Sequence, residues 1–509
     1  MILEYTMNTQ YTISTSVVRS FASKCFTILS SLNIVSLLIL FALQNVLLLT
    51  KYVPYIIQYY DQIILKFGIA TYSDSMIPLT PWLYLTTISP INLTSFLMIT
   101  NMSLSAIVLI FTWLLAIITK QKKNVPFIAG LLLLSTMITL LMPYITPDSI
   151  LFTAIILLAI ICLYKGWIKS SAPFWLTIGF LLTGCAGLTG GLIGFFMPLI
   201  SSLIFLIWSG NLRRAGRYDG ALAFGLMLVM LLGWGSIISS MENGRELLKL
   251  ITTYQIINPA QTIFHIQTRD WLISTATICL IWLPWTLIIF LLPWSRFFSI
   301  PRKLIEYRVS FPGHSWIWIN TLIAALCIIF ISSSDPLSII SLYSLISILT
   351  AQCLNSLTEQ KSLFLYLGVS SYFLVVGLLL LFVSLYPIIQ TWLPQGFETD
   401  FPKTIESFFF DKLGIVIAAA ICILSFFILW KFTNKRSPTG SLVVVVLCTT
   451  LLAIILSYYT TPTNSNETTL FMQVQHQSTP AITNREPINR LSNLTGDNEK
   501  TIKEKCHDL

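Results

Sequence analysis

Along the chain, apolar runs of membrane-crossing length alternate with short stretches that collect the charges, prolines and glycines. Runs near or above the roughly 20 residues that cross a bilayer lie at about 26–50, 91–119, 125–143, 149–165, 174–190, 191–209, 220–240, 271–294, 314–333, 336–352, 362–385, 412–431 and 440–459. This pattern predicts an all-α integral membrane protein of about thirteen transmembrane helices within residues 1–459. The run from Phe26 is too long for a signal-peptide core and lacks a small-residue cleavage site, so it reads as an uncleaved first span.

Positive charge supplies an orientation. If the N-terminus is cytoplasmic, every second loop should be rich in Lys and Arg. Those loops hold Lys120, Lys122 and Lys123, then Lys165 and Lys169, then Arg213, Arg214 and Arg217, then Arg296, Arg302, Lys303 and Arg308, then Lys361, then Lys431, Lys435 and Arg436. The alternation holds at each step and places 51–90, 144–148, 241–270, 334–335 and 386–411 on the outward side. The first of these carries Tyr52, Tyr55, Tyr59, Tyr60, Trp82 and Tyr84 with four prolines, the composition of a partly ordered interfacial loop. Residues 460–509, rich in Asn, Thr, Gln and Glu, read as a disordered outward tail.

Composition agrees: 55% of residues are hydrophobic, 10% are charged and the mean hydropathy is +0.80, which excludes a soluble globular protein. The net charge of +9 is accounted for by orientation and implies no nucleic-acid partner. Nine cysteines show neither CxxC nor metal-ligand spacing and read as small core hydrophobes. There is no phosphate-cradling glycine loop, Ser-His-Asp arrangement or zinc-protease helix motif. Gly184, Gly187, Gly190, Gly191 and Gly194 read as helix ends or as small residues at a helix contact.

One acid stands out. In "MPYITPDSILF", Asp148 falls between two apolar runs without charge. A carboxylate inside lipid costs about 2.5 kcal/mol or more, so Asp148 marks a turn at the membrane surface or is kept for chemistry. Pro143 and Pro147 favour the turn, where Asp148 would cap the following helix.

The segments "GLTGGLIGFFMPLISSLIFLIWSGNLRRAG" and "RDWLISTATICLIWLPWTLIIFLLPW" resemble the multispanning membrane glycosyltransferases of the protein O-mannosyltransferase and aminoarabinose transferase superfamily. The resembling features are the small-residue turn Leu188 to Gly191, Pro198 in the span after it, and the "LPW" of Leu283 to Trp285. "SSSDPLSIISLYSLISILTA" is similar to the family's polar break, and the resemblance extends over about residues 50–355. It implies a GT-C-like fold and transfer of a sugar from a polyprenyl-phosphate donor to a glycan, lipid or protein acceptor. The reaction would run at the outward face of the inner, or plasma, membrane.

The resemblance also assigns residues. "ITPDSILFTA" has the form of the family's outward turn, with Asp148 at its aspartate. "QYYDQIILKFG" keeps Tyr59 and places Asp61 at the second acid of the first outward loop, with Tyr55 where the first is expected. "PLTPWLYL" keeps Pro81 and Tyr84 without the family's acid and lysine, and Gly190 stands where relatives often have lysine. Transfer needs a base for the acceptor hydroxyl and a counter-charge for the departing phosphate. Asp148 and Asp61 are the catalytic candidates, and Arg269, Tyr84 and Tyr59 the substrate-binding ones. His265, ahead of Trp271, is the candidate ligand of a divalent metal. Two other readings stay open: a transporter or lipid flippase, which the scarcity of mid-span charge disfavours, and a transferase fold that has lost catalysis, consistent with the altered loop motifs.

Overall fold

The computed structural model describes residues 34–42, 93–119, 121, 124–136, 147–168, 173–212, 218–240, 312–331, 339–356, 359–390 and 412–434, with scattered positions between 245 and 287 and between 441 and 452. The chain divides into Met1–Thr460 and Thr461–Leu509, and every described residue belongs to the first unit. Its helices are α1 Leu93–Ile118, α2 Val125–Leu134, α3 Pro147–Ile168, α4 Pro173–Trp208, α5 Tyr218–Ser239, α6 Pro312–Ile331, α7 Ile339–Ser356, α8 Glu359–Gln390 and α9 Lys412–Asn434. A short 3-10 turn occupies Trp285–Leu287, and no strand occurs among the described residues. Five stretches among them are long and apolar enough to cross a membrane: Thr100–Ile118, Ser149–Ile168, Pro173–Trp208, Tyr218–Ser239 and Phe364–Phe382. The protein is a membrane protein whose described residues are helical.

Helix α4 is two arms folded on each other. A straight helix of its 36 residues would be about 54 Å long, well beyond a hydrocarbon core of about 30 Å. The chain instead leaves helical geometry at Gly190 (φ −118°, ψ 16°) and Gly191 (φ 58°, ψ −138°). Gly191 takes a positive φ with an extended ψ, a combination that side-chain-bearing residues rarely adopt. Past the break the arms meet: a Cβ on Gly194 would strike the Ala186 carbonyl, and one on Gly187 would lie 3.2 Å from the Phe195 Cβ. Residues eight apart on a straight helix lie about 12 Å apart, so these contacts require a reversal. The small-residue turn expected between runs 174–190 and 191–209 is therefore this hairpin.

The first arm packs antiparallel on α3. A Cβ on Gly166 would crowd Leu176, one on Gly179 would crowd Leu163, and one on Gly190 would collide with the Phe152 ring. Absent side chains let the helices approach closely, which is how helices associate where the solvent is itself apolar. At the opposite end from Phe152, a Cβ on Gly313 would meet the Thr119 carbonyl and the Tyr164 hydroxyl. The Tyr164, Phe205 and Trp316 rings cluster there with centroids 4.9 to 6.5 Å apart. The end of α1, the end of α3, the end of the second arm and the start of α6 thus gather at one pole. These are the helix ends adjoining Lys120 to Lys123, Lys165 and Lys169, Arg213 to Arg217, and Arg302 to Arg308 in the sequence. Lys165 itself places its Nζ 4.2 Å from the Trp175 ring centroid.

The run expected to continue to 143 ends as helix α2 at Leu134. The Ser135 and Thr136 hydroxyls donate to the Leu132 and Leu133 carbonyls at 2.8 and 2.7 Å, side-chain bonds that compete with continuation of the backbone ladder. Elsewhere α8 and α9 pair closely, with Gly377 set against Cys422 and Ile423.

Candidate functional site

Pro147 opens α3, its fixed φ suiting a first helical position, and Asp148 follows it in the first turn. One turn further in lies Phe152, 1% exposed, with its ring against Gly190. The Asp148 backbone therefore lies about 6 Å beyond the level of the hairpin tip. The start of α3 and the "LTGG" turn, some forty residues apart in sequence, share one pole of the bundle, opposite the basic helix ends.

The tip is held from within. The Thr189 hydroxyl donates to the Cys185 and Ala186 carbonyls, each at 3.1 Å, closing the last turn of the first arm. The chain then resumes as a helix after Gly191, so α3 and the second arm both present their N-termini to this pole. The partial positive charge of such ends favours an anion.

Deeper in, the "LPW" stretch is fixed to α2. Trp285, 1% exposed, donates its indole N–H to the Ser135 Oγ at 2.8 Å, and that hydroxyl passes its own proton to the Leu132 carbonyl. Three residues earlier, Trp282 stacks on Tyr343 of α7 with centroids 5.5 Å apart and planes 15° from parallel. The Tyr343 hydroxyl donates to the Ile278 carbonyl at 3.1 Å. These contacts fasten the 278–285 stretch to the end of α2 and to α7. Sequence reading identified "LPW" as a motif but neither the partner of Trp285, Ser135, 150 residues away, nor that of Trp282, Tyr343.

Of the candidate residues, Asp148 is placed by its backbone in α3, while its side chain lies outside the described residues. Asp61, Tyr59, Tyr84, Arg269 and His265 also lie outside them. Among the described residues no three His, Cys, Asp or Glu side chains converge as a metal site. The described part of the site is its frame: the start of α3 that bears Asp148, a glycine hairpin and two helix N-termini.

No protein-family model and no curated protein matches the chain. Its fold does match solved structures. The chain superposes on ArnT from Cupriavidus metallidurans bound to undecaprenyl phosphate with a TM-score of 0.55 and 14% identity, over 79% of this chain and 70% of that one. For the same protein in the apo state the TM-score is 0.50 and the identity 15%, over 74% and 65%. At these identities the likeness shows the fold alone: the chain shares the architecture of these structures.

Proposed function

We propose that this protein transfers a sugar from a polyprenyl-phosphate donor to a glycan, lipid or protein acceptor at the outward face of the inner membrane. The observation that carries the reading is the fold shared over 79% of the chain with an ArnT bound to undecaprenyl phosphate. The N-terminus is cytoplasmic, the basic pole faces the cytoplasm, about thirteen spans cross the bilayer, and the tail from 460 is outward. The gathering of helix ends next to the basic loops at one pole supports this orientation.

The reaction follows from the pole that carries Asp148. A polyprenyl chain lies in the lipid and brings its phosphate to the membrane surface, where two helix N-termini favour an anion. Asp61 takes the acceptor proton and Asp148 orients the acceptor against the anomeric carbon. Arg269 takes up the charge released on the phosphate, and His265 would be the ligand of a divalent metal, which would supply further counter-charge there. Tyr59 and Tyr84 offer aromatic faces and hydroxyls to the sugar.

One observation favours a second reading, a transferase fold without catalysis. Gly190 stands where the resemblance expects lysine, and the Phe152 ring occupies the space a side chain there would need. Mass spectrometry of lipid-linked sugars and surface glycans from cells with and without the gene decides between them. Loss of one modified glycan together with accumulation of one polyprenyl-phosphate sugar is the result expected of a transferase. Unchanged profiles in both pools would remove the catalytic reading.

A further inference from the structure

The second arm of α4 and helix α6 run antiparallel, with Phe205 edge-on to Trp316 at a centroid distance of 4.9 Å. One turn inward from this contact, on the same faces, lie Ser201 on the arm and Asn320 on α6, with Ser202 beside Ser201. All are shut from the surface: Ser201, Trp316 and Asn320 are 0% exposed and Ser202 4%. Among the described residues, the Oγ of both serines, the Nε1 of Trp316 and the Oδ1 of Asn320 have no hydrogen-bond partner.

Many other buried polar groups of the bundle are partnered within the protein. The buried hydroxyls of Thr112, Thr153, Thr183 and Thr321 each donate to the carbonyl one turn earlier, and the buried indole of Trp285 donates to Ser135. Asn320 uses its amide N–H on the Trp316 carbonyl at 2.8 Å, which leaves its oxygen as an acceptor. Pro198, one turn before Ser202, has no N–H to give the Gly194 carbonyl and adds a further acceptor to the arm.

The set contains a group that only donates, one that only accepts, and two hydroxyls that do both. A ligand joining them must itself donate and accept. It must be uncharged, because neither segment carries Asp, Glu, Lys or Arg, and it must be small, because the side chains around it are closed to the surface. We infer that the joint between the second arm of α4 and α6 is a binding site for ordered water inside the membrane, held by Ser201, Ser202, Trp316 and Asn320. Water meets each requirement, and buried polar groups in proteins are commonly satisfied by such molecules.

The test compares two buried indoles in the full-length protein. The chain is labelled with 15N at its tryptophan indoles and placed in nanodiscs, with Trp316 and Trp285 assigned from Trp316→Phe and Trp285→Phe. Magnetisation transfer from water to each indole proton is then measured. The Trp316 N–H is expected to show a water cross-peak and the protein-bonded Trp285 N–H none. Silence at both would overturn the site, and so would equal peaks at both, since water would then enter the bundle generally. Combining Ser201→Ala, Ser202→Ala and Asn320→Leu should abolish the Trp316 peak while the Trp285 resonance stays in place. A persistent peak would assign the water elsewhere and defeat the inference. Should the triple variant lose the Trp285 resonance, Ser201→Ala with Ser202→Ala reads the same contrast.

Discussion

Helices α3 and α5 each have 22 residues, and their membrane-crossing stretches have the same mean hydropathy, yet 78% of one and 17% of the other is buried in protein. Apolarity takes a helix into a bilayer without choosing its neighbours, because lipid tails are as apolar as leucine. The choice is made by shape. Around α3, Gly166, Gly179 and Gly190 each admit a side chain from the facing helix. On α5, a Cβ at Gly225, Gly233 or Gly235 would meet nothing within 4 Å, and Val229 and Leu232 stand 66% and 70% exposed to what must be lipid. Glycine in a span brings helices together only where a partner fills the gap it leaves.

That contrast breaks most visibly at Phe152, whose ring fills the space beside Gly190. Phe152→Ala should cost about 3–5 kcal/mol, read as a loss of unfolding free energy in bicelles. A cost near zero would mean that α3 is not the packed centre of the bundle.

The hairpin comes next. Gly191→Ala forces a Cβ into the φ 58°, ψ −138° conformation and should cost about 1–3 kcal/mol. Pairs of cysteines at 187 and 195 should cross-link readily in the wild-type background. Failure to cross-link would make α4 a straight helix and remove the frame of the site.

Smaller again is Trp285→Phe, which keeps the ring packing and removes the bond to Ser135. The expected loss is about 1 kcal/mol, and the Ser135→Ala change on top of it should add little, because the two residues share one interaction. Full additivity of the pair would contradict the bond. At the bottom of the scale, Leu232→Ala on α5 should change stability by less than about 0.5 kcal/mol, and a loss as large as that at Phe152 would place an unseen partner on the α5 face.

Much of the frame was legible in the sequence. Runs 91–119, 220–240, 314–333 and 412–431 match α1, α5, α6 and α9 to within a few residues, because charge and proline bound apolar stretches of span length. The turn at Gly190 and Gly191 was legible through the family resemblance of Leu188 to Gly191 and Pro198, and the positive φ of Gly191 gives the physical reason for a residue without a Cβ there. The early end of α2 was not: Ser135 and Thr136 sit in an otherwise apolar run, and their hydroxyls act locally in a way that hydropathy does not register. Nor were the Trp285 bond to Ser135 and the Trp282 stack on Tyr343, since contacts across such distances leave no period in a single sequence. Asp148 was singled out because a carboxylate between charge-free runs is costly; its backbone lies in the first turn of α3, and the role of its charge is left to be tested. Asp61, Tyr59, Tyr84, Arg269 and His265 rest on motif resemblance, since loop residues follow neither helical nor strand periodicity.

The central claim, that the pole bearing Asp148 is a transferase site, is tested most directly by Asp148→Asn. Asparagine is tolerated at a helix start about as well as aspartate, so a purely structural role predicts a stability change within about 1 kcal/mol and unchanged transfer. A charge that orients the acceptor or shapes the field at the donor phosphate predicts a fall in turnover on the order of a hundredfold or more. The assay is transfer from a polyprenyl-phosphate sugar in membrane extracts to endogenous acceptor, with expression and thermal stability measured on the same preparation. The account predicts a folded variant that has lost at least this much turnover. A folded variant with near-normal transfer would reduce Asp148 to a helix-start residue and contradict the account.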